Sequence, residues 1–267
     1  MPTYALGSND AELARLEAQA AFIAEPTRVL LQASGIAAGM RVLDLGTGLG
    51  HVACAVGELV GPGGEVVGVD VDPHMLEVAR SRSAHLPHVR FVEADVTQWS
   101  DGASYDAVVG RLILFHMADP VGVLRHHLSA VRPGGRVVFL DFDIGGLRSE
   151  PANRLSDELT SLVMTAFRAA GADPVIGSRL KLVLAQAGVE DVAGLGIAQY
   201  LSPDDPVGPP MLSAVVRSLA PVMVAHGLAT EEDLALDTLP ARLAESLRST
   251  GSVIVPPLLV GAWGRRP

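Results

Sequence analysis

Acidic residues and glycines are the residues of this sequence whose spacing suggests chemistry. The stretch Val42-Leu43-Asp44-Leu45-Gly46-Thr47-Gly48-Leu49-Gly50-His51-Val52-Ala53 runs an apolar strand pattern into Gly-x-Gly-x-Gly and then into a helix. Glycines there permit a tight turn and a close backbone approach by a ligand, and the helix start offers unpaired N–H groups. That suits a nucleotide-type ligand. A dinucleotide fingerprint would put its third glycine at position 51, where this chain has His51. Asp44, two residues before the first glycine, is poorly placed for a pyrophosphate but suits a cationic amino acid group. Asp70 lies twenty residues beyond Gly50, at the end of a second apolar run, where a carboxylate can accept both hydroxyls of a ribose. A third run ends in Glu93-Ala94-Asp95, with an acid where an adenine amino group would sit.

Other titratable groups cluster after later runs. His116 follows the fourth, and an imidazole can accept a phenol or hydroxyl proton near neutrality. Asp141 and Asp143 leave the fifth run at the same edge, where either could steer an amine, act as a base, or cap the next segment. His126 and His127 are neighbours on a helical pattern, and adjacent helical positions diverge, which argues against a shared metal. No metal is expected. The single cysteine, Cys54, stands between Ala53 and Ala55 and reads as a small buried side chain. Lys181 is the one lysine, in a helical pattern without supporting groups for a Schiff base.

The elements that must position these residues alternate. Apolar runs at Arg41–Leu45, Glu65–Asp70, Val89–Glu93, Tyr105–Val109 and Arg136–Asp141 read as strands covered on both faces. Helical patterns fall at Gly50–Val60, Pro73–Ser83 and Pro120–Val131, and Arg132-Pro133-Gly134-Gly135 is the turn feeding the fifth strand. The arrangement is that of an α/β, doubly wound parallel sheet. Before it, Asp10–Ala24 reads as an amphipathic helix with Ala11, Leu13, Ala14, Leu16, Ala18 and Ala21 on its apolar side, followed by a helix at Thr27–Ser34. After it come helices at Glu150–Ala170 and Ile176–Ala187, a strand region at Val189–Tyr200, helices at Pro210–His226 and Glu231–Arg248, and a last strand at Pro256–Trp263. The expected division is N-terminal helices over 1–39, a core over 40–200 with a helical insertion at 145–172, a helical lid over 201–255 and a final strand over 256–267.

The net charge of −10, without a basic patch, weighs against nucleic acid as a partner. No apolar run reaches the length of a membrane span, and the N-terminus lacks a secretory pattern, so a cytoplasmic chain without a membrane partner is expected.

Taken together, Asp44-Leu45-Gly46-Thr47-Gly48-Leu49-Gly50, Gly68-Val69-Asp70, Glu93-Ala94-Asp95, Tyr105-Asp106-Ala107-Val108-Val109, Leu112-Ile113-Leu114-Phe115-His116 with Asp119-Pro120, and Val131-Arg132-Pro133-Gly134-Gly135-Arg136 carry a resemblance. In that order and spacing they resemble class I S-adenosylmethionine-dependent methyltransferases, especially ubiquinone/menaquinone-biosynthesis-like and small-molecule natural-product enzymes. The resemblance is firm over about residues 40–143. It implies a Rossmann-like, seven-stranded, mostly parallel sheet with helical lid insertions, and S-adenosyl-L-methionine as cofactor. It implies that Gly46, Thr47, Gly48 and Gly50 line the methionine and ribose portion, with Asp44 near the methionine amino group. Asp70 would hold the ribose diol, Asp95 and the Val96 N–H the adenine, Val71 and Met75 its flanks, and Arg111 the methionine carboxylate. Tyr4 and Gln19 belong to an N-terminal segment that folds over the cofactor in similar enzymes, with a tyrosine at the transfer centre. His116, Asp141 and Tyr4 are then the catalytic candidates.

Methyl transfer to a small, hydrophobic metabolite through an oxygen, carbon or nitrogen acceptor, in secondary metabolism, is the expected function. The hydrophobic acceptor is suggested by the apolar character of Val207–Leu219 and Pro256–Leu259. Homodimerisation is left open. Two alternatives stand beside it. One is a non-methylating protein of the same cofactor fold, such as a cyclase. The other is a nicotinamide oxidoreductase, disfavoured by the glycine spacing and by the lack of a tyrosine four residues before Lys181.

Overall fold

The computed structural model describes residues 10–201, 205 and 207–267. In chain order the elements are α1 (Asp10–Phe22), α2 (Ala24–Ala33), β1 (Arg41–Leu45), α3 (His51–Val60), β2 (Glu65–Asp70), α4 (Pro73–Arg82), β3 (Val89–Glu93), β4 (Tyr105–Arg111), α5 (Pro120–Leu128) and β5 (Val131–Asp143). There follow β6 (Arg148–Glu150), α6 (Arg154–Ala169), α7 (Ile176–Ala187), β7 (Glu190–Ile197), α8 (Gly208–Ala225), α9 (Glu231–Leu234), α10 (Leu239–Thr250), β8 (Val253–Val255) and β9 (Leu258–Arg265). Internal contacts divide the described residues into two units, one within 24–141, 176–196 and 259–267, the other within 10–23, 142–175, 197–201, 205 and 207–258.

The first unit carries a seven-stranded sheet of order β3-β2-β1-β4-β5-β9-β7. β1 pairs in parallel with β2 and β4, β2 with β3, and β4 with β5. Strand order reverses direction between β1 and β4, and the crevice at the carboxyl ends of such a pair is where open α/β sheets bind ligands. β1 is buried throughout except at its first residue, which accounts for Val42, Leu43 and Leu45 and leaves Asp44 as a buried acid among them. The Arg132-Pro133-Gly134-Gly135 segment is not a turn ahead of β5 but an outlooped part of it. Tyr105 pairs with Val131 and Ala107 with Arg136, so the intervening residues bulge from the ladder, and Gly134 takes a φ of +75° there. α5 accordingly stops at Leu128, short of the expected Val131.

The second unit is mainly helical. α8 packs against α6, α10, α1 and α9, and β6 pairs antiparallel with β8. Asn153 caps α6 by accepting from the Ser156 N–H at 3.1 Å, and its Nδ2 donates to the Ser246 carbonyl and to the Ser246 and Thr250 hydroxyls at 3.0 Å. One side chain thus joins the start of α6 to the end of α10. α6 begins at Arg154 rather than at 150 because residues 148–150 are taken by β6. The helix expected over Glu231–Arg248 is two, α9 and α10, with Ala235 at a left-handed φ of 41° ending the first.

Two further expectations are corrected. In α1 the alanines at 11, 14, 18 and 21 are exposed, and the buried face carries Glu12 and Arg15. Charge can be buried there because Arg15 forms a two-pronged pair with Glu12 (2.6 and 2.9 Å), and the Ser218 hydroxyl donates to the same carboxylate at 2.7 Å. The second correction concerns α8. At eighteen residues it is the one helix among those described that is long and apolar enough to cross a membrane. Leu212, Val216, Leu219 and Met223 on it are buried, so packing accounts for part of its apolar character.

Candidate cofactor site

The glycine turn joins β1 to α3, and its three glycines do different work. Gly46, Gly48 and Gly50 have φ values of 63°, 50° and 77°, a region costly to any residue with a Cβ. A Cβ at Gly46 would lie 2.6 Å from Ile113 Cδ1, and one at Gly50 2.8 Å from Ala79 Cβ, so both are also demanded by close packing. At Gly48 the nearest atom would be Met75 Sδ at 3.9 Å. The protein leaves space above Gly48. The turn is tied down by the Thr47 N–H to the Val69 carbonyl at 3.0 Å and by the Gly50 N–H to the Thr47 carbonyl at 2.9 Å.

Asp44 lies beneath this turn and is almost wholly buried. Its Oδ2 accepts from the Thr47 hydroxyl at 2.6 Å, while its Oδ1 is buried without a hydrogen bond of normal geometry, the Ala53 N–H at the start of α3 acting on the carboxylate only weakly. Burial raises the carboxyl to about 7; the Thr47 bond and the Arg111 charge oppose that shift without cancelling it. Arg111 ends β4, the neighbouring strand, and donates from Nη1 to the buried Thr27 hydroxyl at 2.9 Å. Burial lowers its pKa to about 10 against the pull of Asp44. Thr27 was not picked out in the sequence, since only the fold brings α2 to the end of β4. A buried acid with an unmet acceptor beside a half-buried guanidinium is what the ammonium and carboxylate of an amino acid require.

At the end of β2, Asp70 accepts the Gly48 N–H on Oδ2 at 2.8 Å and the Asp72 N–H on Oδ1 at 3.0 Å. Burial raises its pKa, and those backbone bonds oppose the rise. Each oxygen has used one acceptor position and keeps another for a hydroxyl. Val71 beside it is 53% exposed, an apolar side chain at the surface, whereas Met75 is buried near Gly48. Beyond β3, the Asp95 Oδ1 accepts from the Thr97 N–H at 2.8 Å and its hydroxyl at 2.7 Å, and these bonds hold its pKa down. Val96 has its side chain buried.

The turn after β4 gathers two of the catalytic candidates. Leu112 takes a left-handed φ of 57°, a strained state for leucine, and a short 3-10 turn over Leu114–His116 follows. Asp141 is wholly buried and its Oδ2 accepts the Phe115 N–H at 3.2 Å. It therefore holds the turn that carries His116, whose ring stands edge-on to Phe115 at 4.9 Å. Asp143 accepts from the Gly145 N–H at 3.1 Å and caps the segment after β5. Gln19 lies on α1, where its Oε1 accepts from Arg15 at 2.8 Å. Tyr4 falls outside the described residues. Cys54 is a free, buried thiol whose pKa burial raises. Among the described residues no group of three His, Cys, Asp or Glu side chains is placed to share a metal.

Comparison with known proteins bears on the family and the fold. Residues 36–188 match a family model described as a methyltransferase domain. The ubiquinone/menaquinone biosynthesis C-methyltransferase UbiE of Pseudomonas putida is 32% identical over 145 residues, covering 52% of this chain and 54% of the relative. The chain thus spans about half the length of the curated relatives it matches. Among solved structures, Haemonchus contortus phosphoethanolamine N-methyltransferase 2 in complex with S-adenosyl-L-methionine aligns with a TM-score of 0.55 at 19% identity, over 91% of this chain and 52% of the other. The cyclase SpnF aligns at 0.52 and 17% identity, over 91% and 81%. These two are likenesses of fold.

Proposed function

We propose, for a chain that belongs to the class I S-adenosylmethionine-dependent methyltransferase family, that it transfers the methyl group of S-adenosylmethionine to a small organic acceptor. The observation that carries this reading is the buried Asp44 Oδ1, without a hydrogen bond of normal geometry, beneath a left-handed glycine turn with open space at Gly48. When bound, the cofactor supplies an electrophilic methyl on a sulfonium, so the protein has to orient, exclude water and manage a proton. Asp44 receives the amino acid ammonium and Arg111 its carboxylate. Gly46, Thr47, Gly48 and Gly50 form the bed of the turn, Asp70 takes the ribose diol, and Asp95 with the Val96 N–H takes the adenine. Val71 and Met75 flank the ring.

His116 is the proton acceptor in this reading where the acceptor is a hydroxyl, and Asp141 is a positioning residue acting through the Phe115 N–H. The curated relatives act on carbon, as their name states, so carbon acceptors of quinone-like ring chemistry are to be tried first. Small secondary metabolites with phenolic or enolic hydroxyls come next. Incubation with S-adenosylmethionine and such a panel tests the reading by mass spectrometry. A product heavier by one methylene, with S-adenosylhomocysteine formed in equal amount, is expected. A rearranged acceptor of unchanged mass would assign the chain to cyclase-type chemistry instead.

Gly48→Ala separates ligand binding from folding. The left-handed backbone costs the variant about 1–2 kcal/mol of stability. The added methyl enters space that this reading gives to the ligand, so affinity for S-adenosylhomocysteine is expected to fall by about tenfold or more. Thermal melting and calorimetry read the two effects. A loss of stability without loss of affinity would contradict the placement.

A further inference from the structure

Two adjacent histidines of α5 lie outside the chemistry described so far. His127 is buried, and its Nε2 lies 2.6 Å from the Val96 carbonyl oxygen. His126 Nε2 lies 2.9 Å from the Trp99 carbonyl oxygen. Their rings do not diverge as helical neighbours were expected to. They stand edge-on with centroids 4.8 Å apart, because both reach the same segment, residues 95–99. A carbonyl can only accept, so each imidazole carries its proton on Nε2. Burial lowers the pKa of His127 and favours its neutral form.

The segment they hold is folded on Asp95. The Gln98 and Trp99 N–H groups donate to the Asp95 carbonyl at 3.1 and 2.9 Å, and both Thr97 bonds fall on Asp95 Oδ1. The peptide plane between Val96 and Thr97 is therefore gripped from both ends. Its C=O is held by His127 and its N–H by the Asp95 carboxylate. Rotation of that plane would carry the Asp95 carboxylate with it. Because Oδ1 is committed to Thr97, Oδ2 is the oxygen left for a ligand amino group.

We infer that His127 is a positioning residue for recognition of the purine 6-amino group, acting through the Val96–Thr97 peptide on Asp95. His126 steadies the end of the same segment at Trp99. The inference rests on the proposed adenine role of Asp95 and deepens it.

The test compares two ligands by calorimetry on the full chain: S-adenosylhomocysteine and its analogue with purine in place of adenine, lacking the 6-amino group. Wild-type protein is expected to prefer the adenine ligand by about tenfold or more, as for a hydrogen bond to a charged acceptor. In His127→Leu and His127→Phe the preference falls to within about threefold of unity, with affinity for the purine ligand kept. His127→Gln, which can still donate to the carbonyl, restores most of the preference. A preference unchanged in Leu and Phe variants overturns the inference and leaves Asp95 in place. Absence of any preference in the wild type overturns the Asp95 reading as well. Should the variants fail to fold, isotope-labelled histidine in the wild-type chain decides by nuclear magnetic resonance. His127 protonated on Nε2 and its proton slowed by ligand supports the inference, and the Nδ1 tautomer overturns it.

Discussion

Asp70→Ala is expected to lower affinity for S-adenosylhomocysteine by about 100-fold or more, while the chain stays folded. Two ribose hydroxyls donating to one carboxylate are hydrogen bonds to a charged group, about 1.5–3 kcal/mol each. The same carboxylate accepts the Gly48 and Asp72 N–H groups, so alanine also leaves the glycine turn without one of its ties. Both effects act in the same direction on binding. Asp70→Asn is informative beside it, because an amide can offer only one oxygen where two backbone N–H groups now find one each. It is expected to fall between wild type and alanine. Calorimetry measures the loss and circular dichroism checks the fold. Affinity within about threefold of wild type in the alanine variant would remove Asp70 from the site.

The second large effect is a pH dependence of binding that originates in Asp44. Burial places its carboxyl at about 7 in the free protein, so near neutrality about half the molecules carry it protonated. A ligand ammonium beside it favours the ionised form, so binding expels that proton. Affinity then rises with pH and levels off above the folded pKa; between about pH 8 and pH 5.5 it is expected to fall by about 30-fold. Titrations in two buffers of different ionisation heat count the protons released. Release approaches one per ligand at low pH and none near pH 8.

The sign for folding is the opposite. A pKa raised above the unfolded value of 3.8 gives a stability contribution present below that value and lost as pH rises through about 7. Asp44→Asn, a neutral look-alike of the protonated acid, is therefore expected to match wild type in stability at acid pH. It exceeds wild type above neutrality, in the absence of ligand. Its affinity is lower and flat with pH. A variant that kept the wild-type slope would place the titrating group elsewhere.

The legible parts of this molecule are those where local pattern and tertiary environment agree. β1, β2 and β3 have the bounds read from the sequence: the Val and Leu residues inside β1 and β2 are buried in the sheet, and at the edge strand β3 the run Val89–Glu93 still stands out between polar loops. The glycine turn was legible because left-handed backbone and close packing at Ile113 and Ala79 leave little else possible. What escaped was set by distant partners. β6 exists through its pairing with β8, about a hundred residues on. The burial of Glu12 and Arg15 depends on their mutual pairing and on Ser218, so alanine periodicity pointed to the wrong face of α1. Arg111 needs Thr27, and the two histidines of α5 need the carbonyls of residues 96 and 99. Their adjacency on a helix argued against a shared metal and offered no other role, whereas their shared target was invisible without the fold.

A crystal structure of the full chain grown with saturating S-adenosylhomocysteine tests the central claim most directly. The expected density runs over the Gly46–Gly50 turn, with the amino group against Asp44 Oδ1 and the ribose hydroxyls on Asp70. Density for the ligand at another place, or a turn left empty at concentrations that saturate binding in solution, would contradict it.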